Sequence, residues 1–267
     1  RDCLQVGIGA VPGQISKLIA NSDLKDLGIH TEFAPQGTHL LVEKGVVTCK
    51  YKETHPNKMI MAFAVGDKAE DTGMLVRGYG AHASLYAHRR RTRIESLVRS
   101  TRVHTSDSRF DKALAWATIS LDALVMNQVT RGIFAGLPWF NNYWGRDTFI
   151  SLPGTALVTG RFSLAKQILR SFAQFQQTDT SSTDYGRVPN IVTTNEKAYN
   201  TADGTPRMVI MARDYVERSA DSSFIVEIYP TILRSIEGTL RYHCDERGFL
   251  THGDAETWMD ASGADGP

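Results

Sequence analysis

From residue 106 onward, segments with helical apolar spacing alternate with polar connections, and the long connections fall mostly after every second helix. Short loops at both ends are typical of a simple up-down bundle. The observed alternation instead favours helical hairpins arranged in a ring, with ligand-binding loops at one end. The long connections are residues 135–146, 176–202 and 243–257, and the five predicted helices are 106–125, 148–158, 163–175, 205–218 and 222–242.

Local signals support the ends of several of these helices. Thr105, Ser106 and Asp107 offer an N-cap to the first helix, whose apolar face is predicted to run from Phe110 to Val125. In the second helix Pro153 predicts a kink, and Gly160 predicts the end.

The segment before residue 106 has a different pattern. Residues 1–84 indicate an antiparallel β-rich domain, with strands predicted at Thr38–Val42, Val46–Tyr51, Met59–Val65 and Met74–Arg77. Residues 85–105 have helical apolar spacing and many arginines, which suit a solvated linker helix at a domain boundary. A basic patch for RNA or anionic lipid is the alternative, but no aromatic residues are interleaved with the arginines.

Composition bounds the class of protein. The 30 basic and 29 acidic side chains nearly cancel, so net charge gives no support to a nucleic-acid or membrane surface. No apolar run is long enough for a transmembrane helix. The three cysteines, Cys3, Cys49 and Cys244, are far apart, which favours free thiols in a reducing, cytoplasmic compartment. No cluster with metal-ligand spacing is present, and we expect neither metal nor cofactor.

The first long connection combines aromatic rings with a charged pair at the start of a helix. Trp139, Tyr143 and Trp144 supply flat apolar surface, and Arg146 and Asp147 supply hydrogen-bond donors and acceptors. These residue types suit a ligand site for a sugar ring. The alternative is a structural loop with Arg146 and Asp147 in a surface ion pair.

Two later polar loops, the second connection extended to Gly204 and the third extended to Asp260, also contain polar residues before helix-like segments. In the second connection Asn200 and Asp203 are candidates, although Asp203 can equally be an N-cap. The third connection contains Trp258 and Asp260, and an adjacent aromatic ring can desolvate a carboxyl group and keep it protonated as a general acid. We predict that the three connections meet on one face.

Five motifs in order resemble the amylo-α-1,6-glucosidase domain of glycogen debranching enzymes, over roughly residues 85–267. They are Trp-Gly-Arg-Asp-Thr-Phe-Ile-Ser-Leu-Pro-Gly at 144–154, Thr-Gly-Arg at 159–161, Val-Pro-Asn at 188–190, Tyr-Asn-Thr-Ala-Asp at 199–203 and Thr-Trp-Met-Asp-Ala at 257–261. Residues before this region are similar to the β domain that precedes the barrel in such proteins, but the match is weaker.

This resemblance implies a mainly α fold, a partial (α/α)6 barrel over residues 106–267 preceded by the β region. It also implies hydrolysis of α-1,6-glucosidic branch linkages of glycogen or limit dextrin with inversion, without a cofactor. Asp260 then corresponds to the general acid, and Arg146 and Asp147 to the residues that hold the terminal glucose. Asn200 and Asp203 fall where the family lines the same cleft.

Two departures from the family stand out. After Asp203 the family usually has a small residue and then Leu-Trp-Phe, whereas this chain has Gly204-Thr-Pro-Arg207-Met. An inverting glycosidase also needs a second carboxylate about 6.5–9.5 Å from the acid. In the family that base lies far downstream, and Asp254 and Glu256 are too near Asp260 to flank the opposite sugar face easily. We therefore expect the base and the rest of the barrel beyond Pro267.

Three functions remain open from the sequence. The first is a debranching α-1,6-glucosidase acting on α-glucans. The second is a glucoamylase- or trehalase-like hydrolase of the same fold. The third is a glycan-binding fragment without turnover.

Overall fold

The computed structural model describes three strands within residues 1–50, residues 74, 78, 79 and 81–193, and residues 195–258. The chain divides between Ile94 and Glu95 into two compact units. The domain limits expected from the sequence, at residues 84 and 105, stay predictions.

In the first unit the described strands form a three-stranded antiparallel sheet. Its strands are β1 (Cys3–Val6), β2 (His39–Glu43) and β3 (Val46–Lys50). β3 is the central strand and pairs with both others. The predicted strands at Thr38–Val42 and Val46–Tyr51 are therefore confirmed to within one residue at each end. The predicted strand at Met59–Val65 lies outside the described residues, and of Met74–Arg77 the structure describes Met74 alone, as helical. Helix α1 (Ala83–Ser100) follows and corresponds to the predicted arginine-rich helix.

All five predicted helices of the second unit are confirmed, with ends shifted by at most a few residues. They are α2 (Ser108–Leu124), α3 (Gly145–Leu152) with a π-helical turn at Pro153–Leu157, α4 (Phe162–Ala173), α5 (Gly204–Ser219) and α6 (Ser222–Tyr242). Asp107 caps α2 by accepting a hydrogen bond from the backbone N–H of Arg109. The π-helical turn begins at Pro153, where the sequence predicted a kink, and Gly160 has the positive φ of a helix end.

The sequence did not predict the five-stranded antiparallel sheet of this unit. Its strands, in spatial order, are β4 (Val125–Asn127), β5 (Arg131–Gly136), β6 (Phe140–Trp144), β7 (Ile191–Val192) and β8 (Lys197–Ala198). The segment 135–146, expected to be a polar loop, is thus largely strand. β4, β7 and β8 have only two or three residues each, too few for an alternating pattern to emerge.

The hydrophobic core lies between this sheet and helices α3 to α6. One face of α4 contributes Ile168, Leu169 and Phe172, all fully buried, and Phe172 meets Phe149 of α3 edge to face. These positions follow the predicted helical spacing. The hydroxyl of Thr148 donates to the carbonyl of Ile133, which ties α3 to β5.

The predicted apolar face of α2 is only partly correct. Phe110 is exposed, whereas the buried residues of this helix are Thr118 and Asp122. Asp122 accepts a hydrogen bond from the guanidinium of Arg161 at 2.7 Å. This charged hydrogen bond lets Asp122 be buried in α2, although the apolar pattern predicted that apolar residues form the buried face.

Backbone groups of the segment before β7 pack directly on α6. The side-chain amide of Gln176 donates to the carbonyls of Gly186 and Thr231, so it joins this segment to the helix. A Cβ added at Gly238 would collide with the carbonyl of Tyr185. The absence of a side chain at position 238 is therefore required by the close approach of two backbones.

No helix among the described residues is both long and apolar enough to cross a bilayer. The described part of the chain is mostly helical with small antiparallel sheets. Closure of the helices into a barrel stays a prediction.

We expect Gly238→Ala to lower the free energy of unfolding by about 1–3 kcal/mol, because the collision with Tyr185 outweighs the better helix propensity of alanine. Chemical denaturation measures this change. Gly154→Ala is the matched control, since its Cβ would meet only Leu121 at 4.0 Å. Equal stability of the two variants would contradict the packing assignment.

Candidate active site

A cavity of about 630 Å³ opens between the sheet and the start of α3. Three aromatic side chains line it: Phe140 and Trp144 of β6, and Trp258 of the third connection. Arg146 and Asp147, in the first turn of α3, complete the lining with Ala135. The rings of Phe140 and Trp144 meet edge to face at 6.4 Å. Aromatic walls beside charged groups are the features predicted for the site.

Arg146 is buried and contacts the second and third connections. Its Nε donates to Oδ1 of Asp203 at 2.8 Å, and its Nη2 donates to the carbonyl of Glu256 at 2.9 Å. Its backbone N–H donates to the side chain of Asn190 at 3.2 Å. The prediction of an exposed Arg146–Asp147 ion pair, the structural alternative, is wrong, because the guanidinium is buried and pairs with Asp203.

Asp203 lies between two guanidinium groups. Its Oδ1 accepts from Arg146, and its Oδ2 accepts from Nε of Arg207 at 2.8 Å. Burial raises the pKa of Asp203, but the hydrogen bonds from Arg207 and Arg146 outweigh burial and hold the pKa below its ordinary value. Asp203 occupies the N-cap position of α5, yet its side chain makes no capping hydrogen bond. Its carboxylate instead joins α3 to α5.

Glu256 forms a second carboxylate–guanidinium pair, with Arg187. Nη1 and Nη2 of Arg187 donate to Oε1 and Oε2 of Glu256 at 3.2 and 3.1 Å. These hydrogen bonds lower the pKa of Glu256 more than partial burial raises it. With both oxygens engaged by Arg187, Glu256 is arranged to hold the third connection in place rather than to activate water. That Glu256 is not the base stays a prediction.

His243 packs against the same arginine. Its Nδ1 lies 3.3 Å from Nη2 of Arg187, and because arginine only donates, Nδ1 is the acceptor. Burial and the charge of Arg187 lower the pKa of His243, although Glu256 and Asp184 oppose them. Its Nε2 is buried and has no hydrogen-bond partner among the described residues.

Of the eight residues predicted to bind substrate, four line the cavity: Trp144, Arg146, Asp147 and Trp258. Phe140, which the sequence analysis missed, lies beside them. Phe140 and Trp144 are four residues apart, so they share one face of a strand. This relation can be used only when the segment is predicted to be a strand.

Two predicted aromatic residues lie elsewhere. Tyr143 is 1% exposed and packs on Phe134 in the core, so its expected position at the wall of the site is wrong. Its hydroxyl donates to the carbonyl of Thr130 and accepts from the backbone N–H of Gln128. Trp139 is highly exposed and is not among the residues that line the cavity.

Neither Asn200 nor Asp203 is among the residues that line the cavity. Asn200 is exposed, and its side-chain Oδ1 accepts a hydrogen bond from Nδ2 of Asn190 at 3.3 Å. The carboxylate of Asp203 accepts a hydrogen bond from Nε of Arg146. Asp260, the predicted general acid, lies outside the described residues.

The described residues also contain an unsatisfied donor and lack a metal-binding cluster. The indole N–H of Trp144 is buried and has no acceptor within the described ranges. A ligand hydroxyl in the cavity can supply one. No group of three or more histidine, cysteine or carboxylate side chains with metal-binding geometry occurs in this part of the chain.

We expect Arg146→Gln to lower the free energy of unfolding by about 1.5–3 kcal/mol, because it removes charged hydrogen bonds from a buried position. Arg207→Gln, which removes the other donor of Asp203 from a half-exposed position, should change it by less than about 1 kcal/mol. Urea denaturation compares the two. Similar losses would show that burial does not distinguish the two arginines.

We also expect stability to fall as pH drops below about 6.5, because the unfolded chain then takes up a proton that folded His243 resists. His243→Gln should therefore reduce the difference in unfolding free energy between pH 7 and pH 5. His104→Gln, at an exposed position, is the control. An unchanged difference in the His243 variant would contradict the assignment.

Comparison with known proteins gives two kinds of relative. The chain is 34% identical over 120 residues to a glycogen debranching enzyme of Saccharomyces cerevisiae, a stretch that is 43% of the chain and 7% of that protein. It is 37% identical over 67 residues to a probable butyrate:acetyl-CoA coenzyme A-transferase of Syntrophomonas wolfei, and 42% identical over 65 residues to a 4-hydroxybutyrate coenzyme A transferase of Clostridium kluyveri. These two stretches are 25% and 24% of the chain, and each is 15% of the transferase.

The chain thus spans no more than 15% of the length of these three relatives. A family profile described as amylo-alpha-1,6-glucosidase matches residues 106–267, which include every residue that lines the cavity. Because this match covers more than half of the chain, the protein belongs to the amylo-α-1,6-glucosidase family.

Proposed function

We propose that the chain is part of a glycoside hydrolase that cleaves α-1,6-glucosidic branch linkages of glycogen or limit dextrin with inversion. The observation that carries the proposal is the cavity lined by Phe140, Trp144 and Trp258, with Arg146 and Asp147 at its base, inside the region that matches the family. The flat surfaces of aromatic rings suit the apolar faces of a glucose unit, and charged groups suit its hydroxyls.

In this proposal the cavity residues have different roles. Phe140, Trp144 and Trp258 are the apolar walls, and the Trp144 N–H donates to a sugar hydroxyl. Asp147, partly buried in the lining, accepts from hydroxyls of the terminal glucose. Arg146 contributes to the lining, while its bonds to Asp203 and Glu256 hold the connections together.

The chemistry is assigned to carboxyl groups and water, with no cofactor. Asp260, two residues after Trp258 in the chain, is proposed as the general acid that protonates the glycosidic oxygen. The base that activates water is proposed to lie in the part of the barrel beyond Pro267. Asp203 and Glu256 are not proposed for either role, because guanidinium groups occupy both oxygens of each carboxylate.

The coenzyme A-transferase relatives favour a separate origin for another part of the chain. Since the family profile occupies residues 106–267, we infer that the transferase-like stretch lies within residues 1–105. This inference offers an alternative to a glucosidase β domain at residues 1–84. The stretch represents only 15% of those transferases, so no transferase activity is proposed.

We expect Asp260→Asn to lower the rate of glucose release from limit dextrin by about 10²–10⁴-fold, because the variant lacks the acidic proton. The assay uses the protein encoded by the full-length gene. Asp254→Asn, an exposed carboxylate of the same connection, is the matched control and should retain activity. A rate for Asp260→Asn within a few-fold of wild type would show that the acid is assigned wrongly.

The substrate panel separates the rival functions. Release of glucose from maltose or trehalose in preference to limit dextrin would favour a glucoamylase- or trehalase-like enzyme. Oligosaccharide binding without glucose release from any of the three would favour a glycan-binding protein.

A further inference from the structure

Glu256 does not line the cavity, yet hydrogen bonds hold both its main chain and its side chain. Its carbonyl accepts from Nη2 of Arg146 and from the backbone N–H of Ala202, both at 2.9 Å. Its carboxylate accepts from both terminal nitrogens of Arg187 and from the backbone N–H of Gly253 at 3.1 Å. Main chain and side chain of one residue are thus fixed to two other connections.

The arginine that holds this carboxylate is itself rigidly placed. The side chain of Arg187 is 7% exposed, and Nη1 also donates to the carbonyl of Tyr199 at 2.9 Å. A planar guanidinium that donates two parallel hydrogen bonds fixes the direction of its carboxylate as well as the distance.

The backbone just before Glu256 also needs external support. Ala255 has a φ of 58°, in the left-handed region that a residue with a Cβ disfavours. Such a conformation persists where surrounding contacts determine it. The hydrogen bonds of the next residue, Glu256, supply such contacts beside Ala255.

Trp258 lies two residues further on in the chain. It lines the cavity, but 70% of its surface is exposed, so burial in the core does not fix its position. A flat wall is useful to a ligand only if its plane is set before binding, because ordering it during binding reduces affinity.

We propose that Arg187 and Glu256 are positioning residues that hold Trp258 at the cavity wall for ligand binding. We name this pair the Arg187–Glu256 clasp. The identity of the ligand as an α-glucan rests on the proposed function, whereas the placement of Trp258 rests on the contacts alone.

The first test measures the placement of Trp258 without any ligand. The 267-residue chain has four tryptophans, and labelling with 5-fluorotryptophan gives each a fluorine resonance, with that of Trp258 assigned from Trp258→Phe. We expect Glu256→Gln to shift or broaden this resonance, and Arg187→Lys, which keeps the charge but loses the fork, to do so less strongly.

Glu227→Gln is the matched control for this experiment. Glu227 also accepts two hydrogen bonds from one arginine, Arg170, and neither residue lines the cavity. It should leave the Trp258 resonance unchanged. If Glu256→Gln and Arg187→Lys also leave it unchanged while circular dichroism shows folded protein, the proposal is overturned.

The second test asks whether the clasp acts through Trp258. We expect Glu256→Gln to raise the Kd for maltotriose about tenfold, measured by calorimetry. In a Trp258→Ala background the same substitution should change Kd by less than about twofold, since the wall it positions is gone. A tenfold change in both backgrounds would mean that Glu256 acts by another route and would overturn the proposal.

The two tests separate this inference from the proposed function. A Trp258 resonance that responds to Glu256→Gln in a chain that does not bind maltotriose would support the clasp and count against the α-glucan ligand. Binding of maltotriose that is insensitive to the clasp variants would support the ligand and overturn the clasp.

Discussion

The buried guanidinium of Arg146 is the interaction on which the arrangement of the cavity depends. A buried positive charge is strongly unfavourable unless its donors find acceptors. Among the described residues, its guanidinium donates to the carboxylate of Asp203 and to the backbone carbonyl of Glu256, which are 57 and 110 positions away in the chain. If either connection moves away, a buried N–H donor of Arg146 loses its acceptor. The first turn of α3 therefore holds the second and third connections together.

Pairing with arginine also gives two of the carboxylates near the cavity a structural role. Asp203 and Glu256 are each occupied by arginine, and their lowered pKa values keep both ionised near neutral pH. Fixed ion pairs make good supports and poor proton carriers. The cavity is left with aromatic walls and Asp147 in its lining, and the proton-transfer role falls to Asp260 in the proposed mechanism.

The sequence predicted the helices and the family well, and the side-chain partners poorly. Helices α2 to α6 each contain several turns, enough for the 3.6-residue period to emerge. Strands β7 and β8 contain two residues each, and no pattern can show in so short a segment. Adjacency in sequence suggested that Arg146 pairs with Asp147. Neighbours on a helix point about 100° apart, so the long-range partner Asp203 could not be read from spacing.

The alternation of strand β6 separates the core from the cavity within a single peptide unit. Tyr143 packs on Phe134 in the core, and the next residue, Trp144, lines the cavity together with Ala135. Side-chain exchange at position 144 can therefore reshape the wall while the core stays intact. Insertion or deletion of one residue between the β5–β6 turn and Tyr143 would exchange the two faces instead. Substitution at the cavity-facing positions of β6 thus alters the wall alone, whereas a change in the length of the strand disturbs the core as well.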